Sequence, residues 1–140
     1  MPSFDEVAEF VREQRGHAHV TPATRLVEDT GADGDDMFEL MQRYSERFGV
    51  DLITYRWYFH HGEEGSWSLG GLFFEPPYKR VPHIPITVGM LHEFAEQKRW
   101  SIQYPEHRLP KRRVDMLINQ VVVAVILSYL GYSLWRHFSQ

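Results

Sequence analysis

The chain has 140 residues, no cysteine and a formal net charge of −4. That length fits one modest domain plus an appendage, and the missing thiols exclude disulfides and thiolate metal sites, in keeping with a reducing compartment. Residues 1–75 carry 15 acidic and 6 basic side chains (net −9) and residues 76–140 carry 4 and 9 (net +5), so the acidic half argues against nucleic acid as a partner, where phosphate contacts dominate affinity.

The opening MPSFDEVAEF has neither a basic nor an apolar leader-like run, so no cleaved signal peptide is expected. Ser3 and Glu6 form a capping-box pattern, and Phe4, Val7, Phe10 and Val11 then share one helical stripe that should end near Gly16. Residues 17–35 read as a loop containing Pro22, Gly31 and Gly34, with Leu26 and Val27 tucked into the core and His17 and His19 exposed. A second helix should open between Asp33 and Asp36. Its Met37, Leu40, Met41, Tyr44 and Phe48 form a continuous apolar stripe, and Gly49 is a natural stop.

Residues 53–86 form an aromatic and proline-rich insert, with Tyr55, Trp57, Tyr58 and Phe59 at one end and Pro76, Pro77, Pro82 and Pro85 at the other. A short hairpin across 67–74, turning at Gly70-Gly71, fits its middle. The aromatic residues, Trp67, Phe73 and Phe74 included, either complete the core or offer a platform for acyl chains or bases. Thr87 suits the N-cap of a third main helix that buries Val88, Leu91 and Ala95 and stops before Trp100. The organisation expected is a helical domain over 1–100, a basic linker over 101–116, an apolar helix over 117–135 and a short tail over 136–140.

The apolar stretch LINQVVVAVILSYLGYSLW runs 19 residues without a formal charge, close to the roughly 20 that a helix needs to cross a bilayer. Tyr129, Tyr132 and Trp135 cluster near its far end, as aromatic side chains do at membrane interfaces. Arg108, Lys111, Arg112 and Arg113 precede it and outweigh Arg136 beyond it. The positive-inside rule then puts the N-terminal domain in the cytoplasm and the chain in the inner membrane as a tail-anchored protein. The alternatives are a buried C-terminal helix, for which Asn119, Gln120, Ser128 and Ser133 argue, or a buried strand, which the β-branched run would suit. In the soluble case the basic cluster could fold back on the acidic second helix.

Metal and catalytic patterns are weak. A calcium loop beginning at Asp29 fails because Gly31, Met37 and Leu40 stand where oxygen ligands are needed. His60, His61, Glu63 and Glu64 lack the spacing of zinc ligands and read as a solvated turn. No nucleophile-elbow, phosphate-loop or zincin motif occurs, so neither a catalytic residue, nor a metal, nor a cofactor is expected.

Residues 26–52 carry a further pattern. Leu26-Val27-Glu28-Asp29-Thr30-Gly31-Ala32-Asp33 leads into Asp33-Gly34-Asp35, followed by Asp36-Met37-Phe38-Glu39-Leu40 and Arg47-Phe48; Thr87-Val88 opens the last helix. In these segments the chain resembles acyl carrier proteins, and more closely a group of bacterial carrier-like proteins of unassigned function. The resemblance implies a mainly α, small helical bundle. It also places Gly34 where a carrier has the serine that bears phosphopantetheine, so no such cofactor is expected. Ser45, three turns into the helix, and Ser66 and Ser68 in the insert are not preceded by an aspartate at a helix start.

Carriers are recognised through the acidic face of their second helix, which here points to Asp33, Asp35, Asp36 and Glu39 as a partner-binding face. Plain capping and dipole complementation explain part of the same cluster. The expectation is a non-enzymatic, membrane-anchored interaction module that docks on a membrane protein complex or membrane-associated enzyme. The alternative is a working acyl carrier, modified at another serine or holding acyl chains noncovalently.

Overall fold

Ser3 and Glu6 exchange the two bonds of a capping box, with Glu6 N donating to Ser3 Oγ (3.3 Å) and Ser3 N to Glu6 Oε2 (2.7 Å), and so open helix α1 (Phe4–Arg15). The computed structural model describes residues 1–64 and 68–139. It is mainly helical and continues with α2 (Leu26–Thr30), α3 (Gly34–Phe48), α4 (Leu69–Phe73), α5 (Val88–Gln97) and α6 (Val114–Phe138). Single 3₁₀ turns at Trp57–Phe59 and Pro77–Lys79 break the insert.

Three helices make the core. Val7, Phe10 and Val11 of α1 pack with Met37, Leu40, Met41, Tyr44 and Phe48 of α3 and with Val88, Leu91, Phe94 and Ala95 of α5. The stripes expected on all three helices are therefore the buried faces, and α1 and α3 end at Gly16 and Gly49 as their sequences predict. Tyr44 reaches across the core to donate to the carbonyl of Leu91 at 2.5 Å, which ties α3 to α5 and satisfies a buried hydroxyl. Two isolated bridges staple the loops. Leu26 N bonds Ile86 O while Val88 N bonds Thr24 O, and Asp51 exchanges bonds with the 98–100 segment.

The insert builds a second, aromatic layer against the end of α5. Tyr55 stacks on His60 with ring centroids 5.4 Å apart, and Phe59 lies 4.8 Å from Tyr104. The Tyr104 hydroxyl is the hub: it accepts from Trp100 Nε1 (2.7 Å) and Arg56 N (3.2 Å) and lies 2.8 Å from His60 Nε2. His60 Nδ1 lies 2.7 Å from the carbonyl of Ile84, which can only accept, so Nδ1 carries the proton and Nε2 accepts from Tyr104. This geometry suits a neutral imidazole, and burial pushes the His60 pKa down to about 4.

Four expectations change here. His60 and His61 are not in a solvated turn: their exposures are 0% and 3%. The rings around them are Tyr55 and Trp57 of the insert together with Phe38, Trp100 and Tyr104 from outside it. The segment expected as a hairpin at Gly70-Gly71 is instead helix α4, started by Ser68 Oγ accepting from Gly71 N at 2.8 Å; Trp67 and Ser66 lie outside the described residues. The loop 17–35 contains a helix of its own, α2, and His17 is half-buried while His19 is exposed as expected. Finally, the first part of the basic linker is bound: Ile102 and Tyr104 pack on the core and His107 on Tyr58.

The His60 arrangement makes stability fall on acidification. The unfolded imidazole protonates near 6.5 and the folded one only near 4, so the unfolded state holds more protons in that window and the native state loses ground as pH drops through it. About 2.5 pKa units correspond to roughly 3 kcal/mol. Thermal melts of the full chain in detergent between pH 7 and 4 should show this decline, and His60→Gln, which keeps a donor and an acceptor without titrating, should lessen it, the remainder including the buried His61.

Candidate interaction surface and junction with the apolar helix

Asp33 is the N-cap of α3, extended at φ −130°, and its Oδ1 accepts both from Gly34 N (2.9 Å) and from Gly62 N (2.7 Å). One carboxylate thus starts the helix and holds the end of the aromatic layer over it. Gly34 follows with φ +52°, in the left-handed region, and a Cβ built there would stand 2.3 Å from Glu64 Cγ and 3.1 Å from Glu64 N. Gly34, which the resemblance aligns with a carrier's serine, is therefore closed over by Glu64 of the insert. Of the other serines considered, Ser45 donates to the carbonyl of Val50 (2.7 Å) and Ser68 caps α4.

The acidic face is partly neutralised from within. Asp36 pairs with Arg15 at 2.8 Å, and Glu39 pairs with Arg43 one turn along α3. Asp33 is occupied by its two amides. Asp35 has no ion pair among the described residues and remains exposed. Beside it Phe38, 43% exposed, meets His61 edge-on at 4.7 Å and leans on Trp57 at 5.7 Å. Burial among these rings pushes the His61 imidazole below its ordinary value, and its Nε2 is buried without a partner.

Asp35 and Phe38 form one wall of a cleft of about 270 Å³ whose other walls include Glu63, Tyr78, Arg113 and Asn119. The cleft lies where the folded domain meets α6. There the Arg113 guanidinium binds two carboxylates at once. Its Nη1 and Nη2 donate to the two oxygens of Glu63 (3.0 and 2.8 Å), and its Nε and Nη2 donate to those of Asp115 (3.0 and 2.6 Å). These charge-assisted bonds, first to Asp115 and then to Glu63, raise the Arg113 pKa further above its ordinary value. Arg113, expected as one of four free juxtamembrane cations, is instead a clasp; Arg108, Lys111 and Arg112 remain exposed.

Helix α4 completes the junction. Gly70 lies flat on the start of α6: an added Cβ would meet the carbonyl oxygen of Asp115 at 2.0 Å, so only glycine allows this approach. Gly70 N donates to Asn119 Oδ1 (2.9 Å) and Asn119 Nδ2 donates to Ser68 Oγ (2.8 Å). Beyond Asn119 the helix stands clear of the domain. Its 25 residues extend about 37 Å at 1.5 Å per residue, it is long and apolar enough to cross a membrane, and Val121, Val123, Leu127, Tyr129, Tyr132 and Trp135 are all exposed. Ser128 satisfies its hydroxyl by donating to Ala124 O at 2.7 Å.

Among the described residues no group of three His, Asp or Glu side chains is placed to hold a metal ion. Sequence reasoning found α3, its acids and the apolar helix, but missed the Glu63–Arg113–Asp115 clasp, the Gly70 contact and Phe38. The Gly-Gly pair was the available signal for close backbone packing; the clasp joins residues 50 apart and left none.

DUF1493, a family of proteins of unknown function, matches residues 4–103, and the chain belongs to it. The matched region holds Glu63 and most of the aromatic layer, and ends just before that layer's hub, Tyr104, and before Arg113 and α6. No solved structure matches the chain.

Two substitutions test this geometry. Gly34→Ser should not create a carrier: the left-handed backbone and the Glu64 contact should cost about 1–3 kcal/mol in a melt. The variant's mass should also stay unchanged after incubation with a phosphopantetheinyl transferase and coenzyme A. Arg113→Gln should free the linker, seen as faster tryptic cleavage after Lys111 and Arg112, with a loss of roughly 1.5–3 kcal/mol from the broken charged bonds.

Proposed function

We propose that the protein is a non-enzymatic interaction module, acyl-carrier-like in its helical domain, held at the cytoplasmic face of the inner membrane by α6. It docks as an accessory subunit or adaptor on a membrane protein complex or a membrane-associated enzyme. The observation that carries this reading is the exposed α6: a 25-residue apolar helix fixed at its base to an acidic folded domain and, among the described residues, largely bare beyond Asn119. A side-chain surface of that size is unfavourable in water and favourable in hydrocarbon.

The order of α1, α3 and α5, the buried stripe of α3 and the Thr87 cap support the carrier-like part of the reading. The closed Gly34 position supports a role through contact in place of a tethered arm. Arg108, Lys111 and Arg112 on the domain side, against Arg136 on the far side, support the orientation. The docking face narrows to Asp35 and Phe38, because Asp33, Asp36 and Glu39 already have partners. An exposed acid beside a half-exposed aromatic ring suits a partner patch with a basic residue next to an apolar pocket.

Native mass spectrometry of the full chain, extracted from its own membranes in mild detergent, tests the reading. The expected result is the bare chain mass with a reproducible bound subunit that Asp35→Lys releases by tenfold or more, with the circular dichroism of the variant unchanged. A phosphopantetheine-sized increment, or binding indifferent to Asp35→Lys, would sink it.

A further inference from the structure

The four large side chains of α4 and its C-cap have no place in the core. Leu69 and Phe74 are each 42% exposed and Leu72 and Phe73 are each 77% exposed, although every main helix of the domain buries its apolar face. The reason is local: α4 turns its glycine backbone toward α6, with Gly70 against Asp115, and its side chains are left facing outward. We infer that α4 is a second, shallow membrane contact, a foot whose Leu69, Leu72, Phe73 and Phe74 insert into the headgroup–acyl boundary beside α6.

This inference rests on the reading that α6 crosses a bilayer, and three observations select lipid as the occupant. The first is level. Gly70 lies against the backbone of Asp115 and donates to Asn119, two residues four apart and so about 6 Å along the helix. The uncharged run of α6 begins within that interval, at Met116 and Leu117, both exposed. A bilayer whose boundary meets α6 there also meets α4.

The second is continuity. Ser68 and Gly70 of the α4 segment pack on Asp115 and Asn119 in the first turns of α6, where Met116, Leu117 and Val121 are exposed, so both helices bring bare apolar side chains to the same level. Asn119, the polar group at this level, is already satisfied by Gly70 and Ser68 and needs no water. The third is charge. Lys79 and Arg80 follow α4 by a few residues and Lys111 and Arg112 precede α6, all exposed, as on interfacial segments that meet anionic headgroups. Glu75 interrupts this set, and Asp35, Glu63 and Glu64 line the cleft beside the junction.

The cysteine-free chain allows single nitroxide labels at Leu72→Cys, Phe73→Cys, Val123→Cys in mid-α6 and Gln42→Cys on the outer face of α3. The full-length protein would be reconstituted in vesicles of phosphatidylethanolamine and phosphatidylglycerol, and collision rates measured with oxygen and with a water-soluble nickel chelate. The foot predicts oxygen exceeding nickel at 72 and 73, less strongly than at 123, and the reverse at 42. Nickel exceeding oxygen at 72 and 73 while 123 stays lipid-exposed would overturn the foot and leave the anchor standing. Shielding of 72 and 73 from both reagents would mean that protein, a second copy or another subunit, covers α4, and would also overturn it. Nickel access at 123 would remove the anchor and the foot together.

Discussion

A guanidinium at the point where the chain leaves its folded domain binds two carboxylates, one from the insert and one from the first turn of α6. Most of what distinguishes this protein from a small helical bundle with a tail depends on that clasp. Glu63 belongs to the segment that closes over Gly34, Asp115 belongs to the apolar helix, and Arg113 makes the two move together. Charge pairs this exposed contribute little when isolated. Here the pair is bidentate on both sides and is backed by the Gly70–Asn119 contact, so loss of one element weakens the geometry of the other.

The bundle was legible because its signals are periodic and local. The α3 stripe, the Ser3 and Thr87 caps and the glycine stops each follow from residues within a few positions of one another. The apolar helix was legible from length alone. The insert was not. Its residues pair across long separations, as with Tyr104 and His60 or Asp33 and Gly62, and period-based reading has no purchase on a layer made of 3₁₀ turns and stacked rings. His60 and His61 illustrate the cause: two adjacent histidines beside two glutamates look hydrophilic in sequence, yet both rings are buried among the side chains of Tyr55, Trp57 and Phe38. The Gly70-Gly71 pair was read as a turn because two glycines permit one; in the fold the same lack of side chains permits a helix to lie against another helix.

The candidate docking face shows the same division. Four acids at the head of α3 are visible in the sequence, but which of them are free depends on arginines 21 positions before and 4 positions after their partners. Asp35 is left by subtraction, and Phe38 gains interest only because the rings of the insert stop short of covering it. The resemblance to acyl carriers directed attention to the end of α3 that begins at Gly34. The structure adds that Gly34 is left-handed and lies close under Glu64.

Fixing the domain to α6 by three short contacts has a mechanical consequence. With α6 in a bilayer, the domain has neither a free hinge nor a free swivel at residue 113, so Asp35 and Phe38 sit at one height above the lipid and face one azimuth. Under the proposed function, a partner in the same membrane would meet them after lateral diffusion and rotation in the plane alone, without the tumbling that a flexible tether would add. The cost is selectivity of reach: a binding patch carried too far above the bilayer is out of register however well its charges match. Under the proposed function the junction would work as a height gauge, sorting partners by where they carry their patch before chemistry is tested.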